Sequence, residues 1–423
     1  MDRARKTALC ALDTVFKVQA YSNITLDNAL NAADLSDTDR RFASRLFYGV
    51  LDRKITLDYV LSKFLKSGIS KTPLTALNAM RMALYQIKYM DKVPDFAAVN
   101  SAVQLVKNSK QRFAAPTVNG VLRNVLRQEI SLPEGNGVFA LSVRYSCPEY
   151  IVKGFIEDYG TETAEELLKS FLTAPDTVIR VNTLLTDTET LFKTLIAEGL
   201  SAEKCDIQNA LIIKGGINVS ESRAFKDGLF HIEDSACQKA VEKLAPRAGE
   251  KVLDVCSAPG GKAFTMAEMM NNTGSITACD IYPARVGLIR SGAERLKISI
   301  INTLACNSAE YKFKREFDAA LCDVPCSGLG VLRRKPEIKY KEQPAENSLP
   351  EIQLSLLENA DAAVVAGGRI MYSTCTLRRA ENEGVVAAFL DKHKDYELIY
   401  EHTFMPHTDG TDGFFCALIQ KSR

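Results

Sequence analysis

The chain of 423 residues has no run approaching the about 20 consecutive apolar residues that cross a bilayer. Its start, Met1-Asp2-Arg3-Ala4-Arg5-Lys6, leads into a helical pattern without a signal-peptide cleavage site. A soluble, cytoplasmic protein is expected. Eleven cysteines are scattered, and no two are spaced Cys-x-x-Cys. That excludes a secreted disulfide scaffold and points to reduced thiols. Only four histidines occur, none at ligand spacing, so no metal is expected. Internal repeats and low-complexity tracts are missing. So are the G-x-G-x-x-G and Walker phosphate loops.

What is present is uneven. Residues 1–130 hold 20 Lys and Arg against 11 Asp and Glu, a charge of +9. The whole chain is +1, so the remainder carries −8. A basic first part favours a nucleic-acid partner, although a solvated helical surface has the same composition. The apolar residues of that part recur at helical spacing: Leu9, Leu12, Val15 and Phe16, then Leu46, Val50, Leu51, Leu57, Val60, Leu61 and Leu65. A last stripe runs Val118, Val121, Leu122, Val125, Leu126. Residues 1–130 therefore predict an all-α bundle, closed by the linker Leu132–Gly137.

Residues 145–235 predict a small α+β unit. Its helices are expected over 148–171 and 188–198, and its strands over 177–182 and 210–213. From 240 to 423 strands alternate with helices. Strands are expected at 251–255, 275–279, 301–306, 317–322, 369–373 and 414–419. Helices are expected at 263–270, 282–296 and 349–365. Such alternation builds a parallel sheet with helices on both faces, and the last strand is suited to antiparallel pairing.

Strand 251–255 runs into Cys256-Ser257-Ala258-Pro259-Gly260-Gly261-Lys262 and then a helix. Ligands of open α/β sheets bind beyond the carboxyl ends of strands, near the switch point. Gly260 and Gly261 let the backbone approach a ligand, and the helix start offers N–H groups to a carboxylate. The methionine part of S-adenosylmethionine carries one. Asp280, ending the next strand, stands where nucleotide-binding folds place the ribose acceptor.

Two further strands end in Asp323-Val324-Pro325-Cys326-Ser327-Gly328-Leu329-Gly330 and Ser373-Thr374-Cys375-Thr376. One buried cysteine alone is most often a small hydrophobe. Two after adjacent strands at a cofactor edge point to chemistry. A thiolate adding to carbon 6 of cytosine makes carbon 5 enamine-like and able to accept a methyl group. Asp323 is placed to hold the N3 edge of the ring. The loop from Leu332 to Tyr340 carries Arg333, Arg334, Lys335 and Lys339, four cations suited to RNA phosphates.

The segments Leu253–Lys262, Asp323–Gly330 and Thr374–Thr376 resemble the signature segments of the RNA cytosine-5 methyltransferases, nearest the RsmB (Sun/Fmu) type. The resemblance covers nearly the whole chain. Segments such as Asn78–Ile87 and Val118–Leu122 resemble a NusB-like RNA-binding domain, here 1–130. Residues 145–235 resemble a ferredoxin-like module, and 240–423 a Rossmann-like methyltransferase domain. The resemblance implies methyl transfer from S-adenosyl-L-methionine to carbon 5 of a cytosine in small-subunit ribosomal RNA, by a monomer. It implies Cys375 as nucleophile and Cys326 as the residue aiding release. Cofactor contacts fall on Cys256–Lys262, Asp280, Asn307 and Asp323. Asn307 departs from the usual Asp, Glu233 from the usual Gln, and Arg379 from the usual Pro. Other readings are an RNA-binding transcription or assembly factor with a vestigial catalytic domain, or a methyltransferase acting on tRNA.

Overall fold

The computed structural model describes residues 2–215, 219–341 and 348–423. The chain divides into two compact units. One is 1–173 with 332–342, and the other is 174–331 with 343–423.

The first unit is helical: α1 (Arg3–Val18), α2 (Ser22–Asn31), α3 (Asp37–Ser62), α4 (Leu74–Tyr89), α5 (Asp95–Lys107), α6 (Ala115–Arg127), α7 (Val138–Tyr145), α8 (Glu149–Tyr159) and α9 (Thr161–Ser170). Ser36 caps α3 by accepting from the Asp39 N–H, and Asp37 and Asp39 favour its positive end. Pro73 and Pro94 stand just before α4 and α5, where a missing N–H costs nothing. The expected stripes form one core, with Leu12, Leu46, Val50, Leu51, Leu57, Leu61, Met80 and Leu122 fully buried. Arg81 is buried there with both nitrogens on the Asp58 carboxylate, at 2.6 and 2.7 Å. The helix expected over 148–171 is two helices. Gly160 breaks it with φ +79, a conformation that only glycine adopts without strain.

The second unit begins with a four-stranded antiparallel sheet. It comprises β1 (Thr177–Val181), β2 (Ser201–Lys204), β3 (Ala210–Lys214) and β4 (Phe230–Ile232), in the order β2-β3-β1-β4. Helices α10 (Thr188–Ala197) and α11 (Arg223–Lys226) accompany it. Helix α12 (Ser235–Leu244) leads to β5 (Lys251–Asp254), α13 (Gly261–Met269), β6 (Ser275–Asp280), α14 (Pro283–Arg295), β7 (Ile301–Ala305) and β8 (Phe317–Asp323). Then come α15 (Ser348–Ala363), β9 (Val364–Thr374), α16 (Glu383–Lys392), β10 (Tyr396–Phe404), α17 (Pro406–Asp409) and β11 (Phe414–Lys421).

These last seven strands make one sheet, ordered β10-β11-β9-β8-β5-β6-β7. Strands β5 to β9 pair in parallel, and β11 lies antiparallel to both β9 and β10. Alternate residues feed two cores. Val252, Ala319, Leu321 and Met371 pack toward α12 and α13, while Leu253, Ala320, Cys322 and Tyr372 pack toward α15 and α16. From β5 the chain winds outward to β6 and β7, then returns to β8 on the other side. The switch point therefore lies at the carboxyl ends of β5 and β8.

Candidate active site

Both loops at the switch point are the ones singled out in the sequence. After β5, the Ser257 N–H donates to the Cys279 carbonyl at 2.7 Å, folding Cys256–Lys262 against the end of β6. Gly260 has φ +114, and a Cβ there would sit 2.4 Å from the Phe264 ring. A side chain is excluded twice over, by conformation and by space. Asp254 and Ser257 are buried, and the Asp254 oxygens and the Ser257 hydroxyl have no partner beyond their contact with each other and with the Cys256 backbone. Burial pushes the Asp254 carboxyl up to about 7, and the nearby Asp323 charge adds to the effect. A buried carboxylate so thinly partnered keeps lone pairs for a ligand with donors to give.

Asp280 is buried at the end of β6. Its Oδ1 accepts from the Tyr282 N–H at 2.9 Å and its Oδ2 faces Arg285 at 3.1 Å. Asn307 follows β7, and its amide oxygen accepts from the Ala309 N–H at 3.2 Å. Lys262 reaches from α13 to Asp323 at the end of β8, with Nζ 2.7 Å from Oδ2. The other Asp323 oxygen accepts from the Ser373 hydroxyl at 3.0 Å. Burial disfavours the Lys262 charge, but the Asp323 carboxylate leads a set of acidic neighbours that hold it well above its usual value.

Strands β8 and β9 are parallel neighbours, with Asp323 opposite Ser373. The two turns that follow them bring Cys326 and Cys375 together, Sγ to Sγ at 3.3 Å. Neither is in a disulfide. The hydrogen bond to Cys375, followed by burial and the Glu381 charge, pushes the Cys326 thiol well above its usual range. The turns are also joined through backbone: the Gly330 N–H donates to the Cys375 carbonyl at 3.0 Å. A Cβ on Gly330 would lie 2.0 Å from the Gly413 carbonyl oxygen, so this crossing admits only glycine.

One expected site residue is corrected. Lys339, read from the sequence as a phosphate-binding cation, is buried. Its ammonium donates to the carbonyls of Asp52 at 3.0 Å and Ser146 at 3.2 Å. The whole segment 332–342 belongs to the helical unit. Tyr340 donates to the Leu51 carbonyl at 2.7 Å, and Glu337 accepts from the Ser22 hydroxyl at 2.7 Å. Charge runs usually face water, but here the long lysine stem ends on main-chain acceptors inside a core. Lys335 is exposed, and Arg333 and Arg334 are half-buried. Among the described residues, no group of three or more His, Cys, Asp or Glu is arranged to hold a metal, and no helix is long and apolar enough to cross a membrane.

Known proteins match along the whole length. The pattern described as 16S rRNA methyltransferase RsmB/F covers residues 241–420. The NusB family pattern covers 2–127, and the RsmF/B-like ferredoxin-like domain covers 147–220. A probable ribosomal RNA small subunit methyltransferase B from Bacillus subtilis (strain 168) is 37% identical, over 99% of this chain and 98% of its own. The chain belongs to the ribosomal RNA small subunit methyltransferase B family. A second such protein, from Synechocystis, is 31% identical over 100% of both chains. The crystal structure of PH0851 has the same fold, with a TM-score of 0.87 at 23% identity over 100% of this chain and 99% of that one. This member of the family joins a NusB-type helical domain, a ferredoxin-like module and an α/β methyltransferase domain.

Three features of this family member escape sequence reasoning. Asp254 looks like any acidic strand end. Glu381 and Asn382 lie beyond the Cys375 turn and look like surface residues, yet both are buried. The third is a charged cluster beside the loop between β5 and α13. There His231 of β4 lies 3.4 Å from Glu268 and 3.6 Å from Glu233, and Arg180 of β1 lies 3.3 Å from Glu268. Glu233 Oε1 is 3.2 Å from where a Gly261 Cβ would be. Burial works against charge on His231, but the two glutamates outweigh it and lift its pKa to about 9.

That shift has a sign. A histidine raised above its unfolded value near 6.5 lends stability that is complete below that pH and is lost as pH passes about 9. The melting temperature of the second unit should fall by roughly 5 °C between pH 6.5 and 9.5. His231→Gln should flatten that dependence. Calorimetry across the range checks it, and an equal slope in both proteins would remove His231 as the cause.

Proposed function

We propose that the chain methylates carbon 5 of a cytosine in small-subunit ribosomal RNA, with S-adenosylmethionine as donor and a Cys375–carbon 6 adduct on the way. The observation that carries this is the pair of thiols 3.3 Å apart beside the β5 loop. A nitrogen or oxygen acceptor has its own lone pair and needs no thiol. A pyrimidine carbon does not, and covalent addition is the way to activate it.

The residues fit the donor. S-adenosylmethionine, when bound, supplies a methyl group on a sulfonium centre. Asp254 and Ser257 offer buried acceptors for its donor groups. The Cys256–Lys262 loop leaves open backbone at the start of α13 for its carboxylate. Asp280 serves the ribose hydroxyls and Asn307 the adenine amino group.

The remaining steps belong to the protein. Cys375, as thiolate, adds to carbon 6 and drives the ring electrons toward N3. Asp323, fixed by Lys262 and Ser373, faces the N3 edge and stabilises the proton taken up there. Carbon 5, now enamine-like, would take the methyl group with its own electron pair, the donor sulfur keeping the pair of the broken S–CH3 bond and leaving as a neutral thioether. Loss to water of the carbon 5 proton breaks the Cys375–carbon 6 bond, and release of the N3 proton, taken from water earlier, restores the ring. Cys326, held as the thiol, donates its S–H to the departing Cys375 sulfur.

Labelled S-adenosylmethionine and small-subunit ribosomal RNA test the reading by nucleoside mass spectrometry. Label in 5-methylcytosine is expected. Label found only in another nucleoside would sink the proposal. Arg333, Arg334 and Lys335 are read as phosphate contacts. Lys335→Ala should weaken RNA binding alike for all sequences and lower the salt slope by about 1, as filter binding at several salt concentrations measures. An unchanged slope removes Lys335 from the interface.

A further inference from the structure

The most densely bonded carboxylate near the two thiols is one that the reaction itself does not use. Glu381 follows β9 and is buried. Its Oε2 accepts from the Ser327 N–H at 2.9 Å and from the Gln353 amide of α15 at 3.0 Å. Its Oε1 accepts from the Ser327 hydroxyl at 2.6 Å. Its carbonyl accepts from the Tyr372 hydroxyl at 2.6 Å. Ser327 and Thr376 are the residues directly after Cys326 and Cys375, and their hydroxyls meet at 2.7 Å. Gln353 also donates to the Pro325 carbonyl, on the other side of Cys326, at 2.9 Å. Asn382 completes the frame. Its Oδ1 accepts from Thr374 at 2.5 Å, and its amide donates to the Thr376 carbonyl at 3.1 Å, spanning Cys375. Each cysteine is thus bracketed on both sides by residues of one network centred on Glu381 and Asn382.

We propose that Glu381 is a positioning residue: it locks the Cys326 turn against the Cys375 turn and assigns the shared proton to Cys326. A carboxylate that accepts three hydrogen bonds inside a buried network is expensive to remove, because its donors are left without partners. Its charge also bears on chemistry. The titratable groups facing Cys326 are Cys375, Glu381 and Tyr372. Tyr372 is kept neutral by burial; Cys375 bears most on the Cys326 thiol, and the Glu381 carboxylate adds to it in disfavouring a thiolate there. Glu381 bonds directly to the residue after Cys326 and reaches the residue after Cys375 through the Ser327 hydroxyl, so its charge bears first on the Cys326 turn, and that thiol keeps its proton. The other is left to act as nucleophile. The inference rests on the proposed reaction for its consequence, but not for its geometry.

The test uses the full chain with Glu381→Gln and Ser327→Ala. In Glu381→Gln, kcat should fall roughly 10- to 100-fold, the scale of a misplaced reacting group, with cofactor affinity unchanged. The pH midpoint for iodoacetamide alkylation of Cys326, read by peptide mass spectrometry, should move to lower pH. Ser327→Ala keeps the charge and loses the hydroxyl bridge, so kcat should fall while the Cys326 midpoint stays. Wild-type turnover in Glu381→Gln, or lost turnover with an unmoved midpoint, overturns the proposal. If Glu381→Gln does not fold, wild-type turnover in Ser327→Ala overturns it. Alkylation needs no RNA, so a moved midpoint in a protein that makes no 5-methylcytosine would uphold the positioning role and reject the reaction.

Discussion

Cys375→Ala should abolish methylation, while Cys326→Ala should accumulate a covalent protein–RNA adduct that survives a denaturing gel. Removing the nucleophile closes the covalent route. A loss on the order of 10³-fold or more corresponds to about 4 kcal/mol of barrier. Removing Cys326 acts later. Its thiol is 3.3 Å from the sulfur that must leave, so without it the adduct forms but is released slowly. The two variants should thus differ in kind, one unable to start and the other unable to finish. An adduct in Cys375→Ala, and none in Cys326→Ala, would exchange the two roles. Since all the atoms concerned lie in two turns, either result says which strand end holds the nucleophile.

Asp323→Asn should lower kcat/KM by on the order of 10³-fold, within the range for a lost acid–base group. It should also destabilise the protein, because Lys262 is left charged and half enclosed. A fully buried pair broken on one side costs roughly 3–5 kcal/mol. Lys262 is left with 13% exposure, but the amide oxygen that replaces the carboxylate still accepts from it and water reaches position 323, which is 29% exposed, so a loss of about 3 kcal/mol, the low end of that range, is expected. Adding Lys262→Met should restore much of that stability, since the orphan is gone, yet leave activity low. Denaturant unfolding and initial rates on the two single variants and the double variant make the cycle. Recovery of activity in the double variant would show that Asp323 serves only to neutralise Lys262.

How far the sequence carried depends on the range of the signal. The bundle stripes and the strands β5 to β8 are local patterns of period 3.6 and 2, and the structure keeps them within a residue or two. The cysteine turns were legible because each follows its own strand directly. Strand β10 was not. It lies at the sheet edge with little buried, and a bulge between Leu398 and Tyr400 shifts its alternation midway. Strand β9 starts five residues earlier than expected, because Val364 already pairs with Phe317 before the bulge at Ala319. Glu381 was illegible for a different reason. Its partners lie 54 and 28 residues away, in a turn and a helix, and no spacing rule joins them. Asp254 was missed because an acidic strand end becomes notable only once burial leaves it with so few partners.

The segment 332–342 changes how the protein is divided. In sequence it sits inside the methyltransferase domain, six residues past Cys326, yet it folds with helices drawn from the first 173 residues. The helical part is therefore not a cassette that recombination could add or delete at one junction. A gene that lost its first half would still encode Lys339 and Tyr340, with none of the carbonyls they were shaped to meet. Shuffling would have to cut the chain in three places at once. A chain built with this segment has to carry both units together.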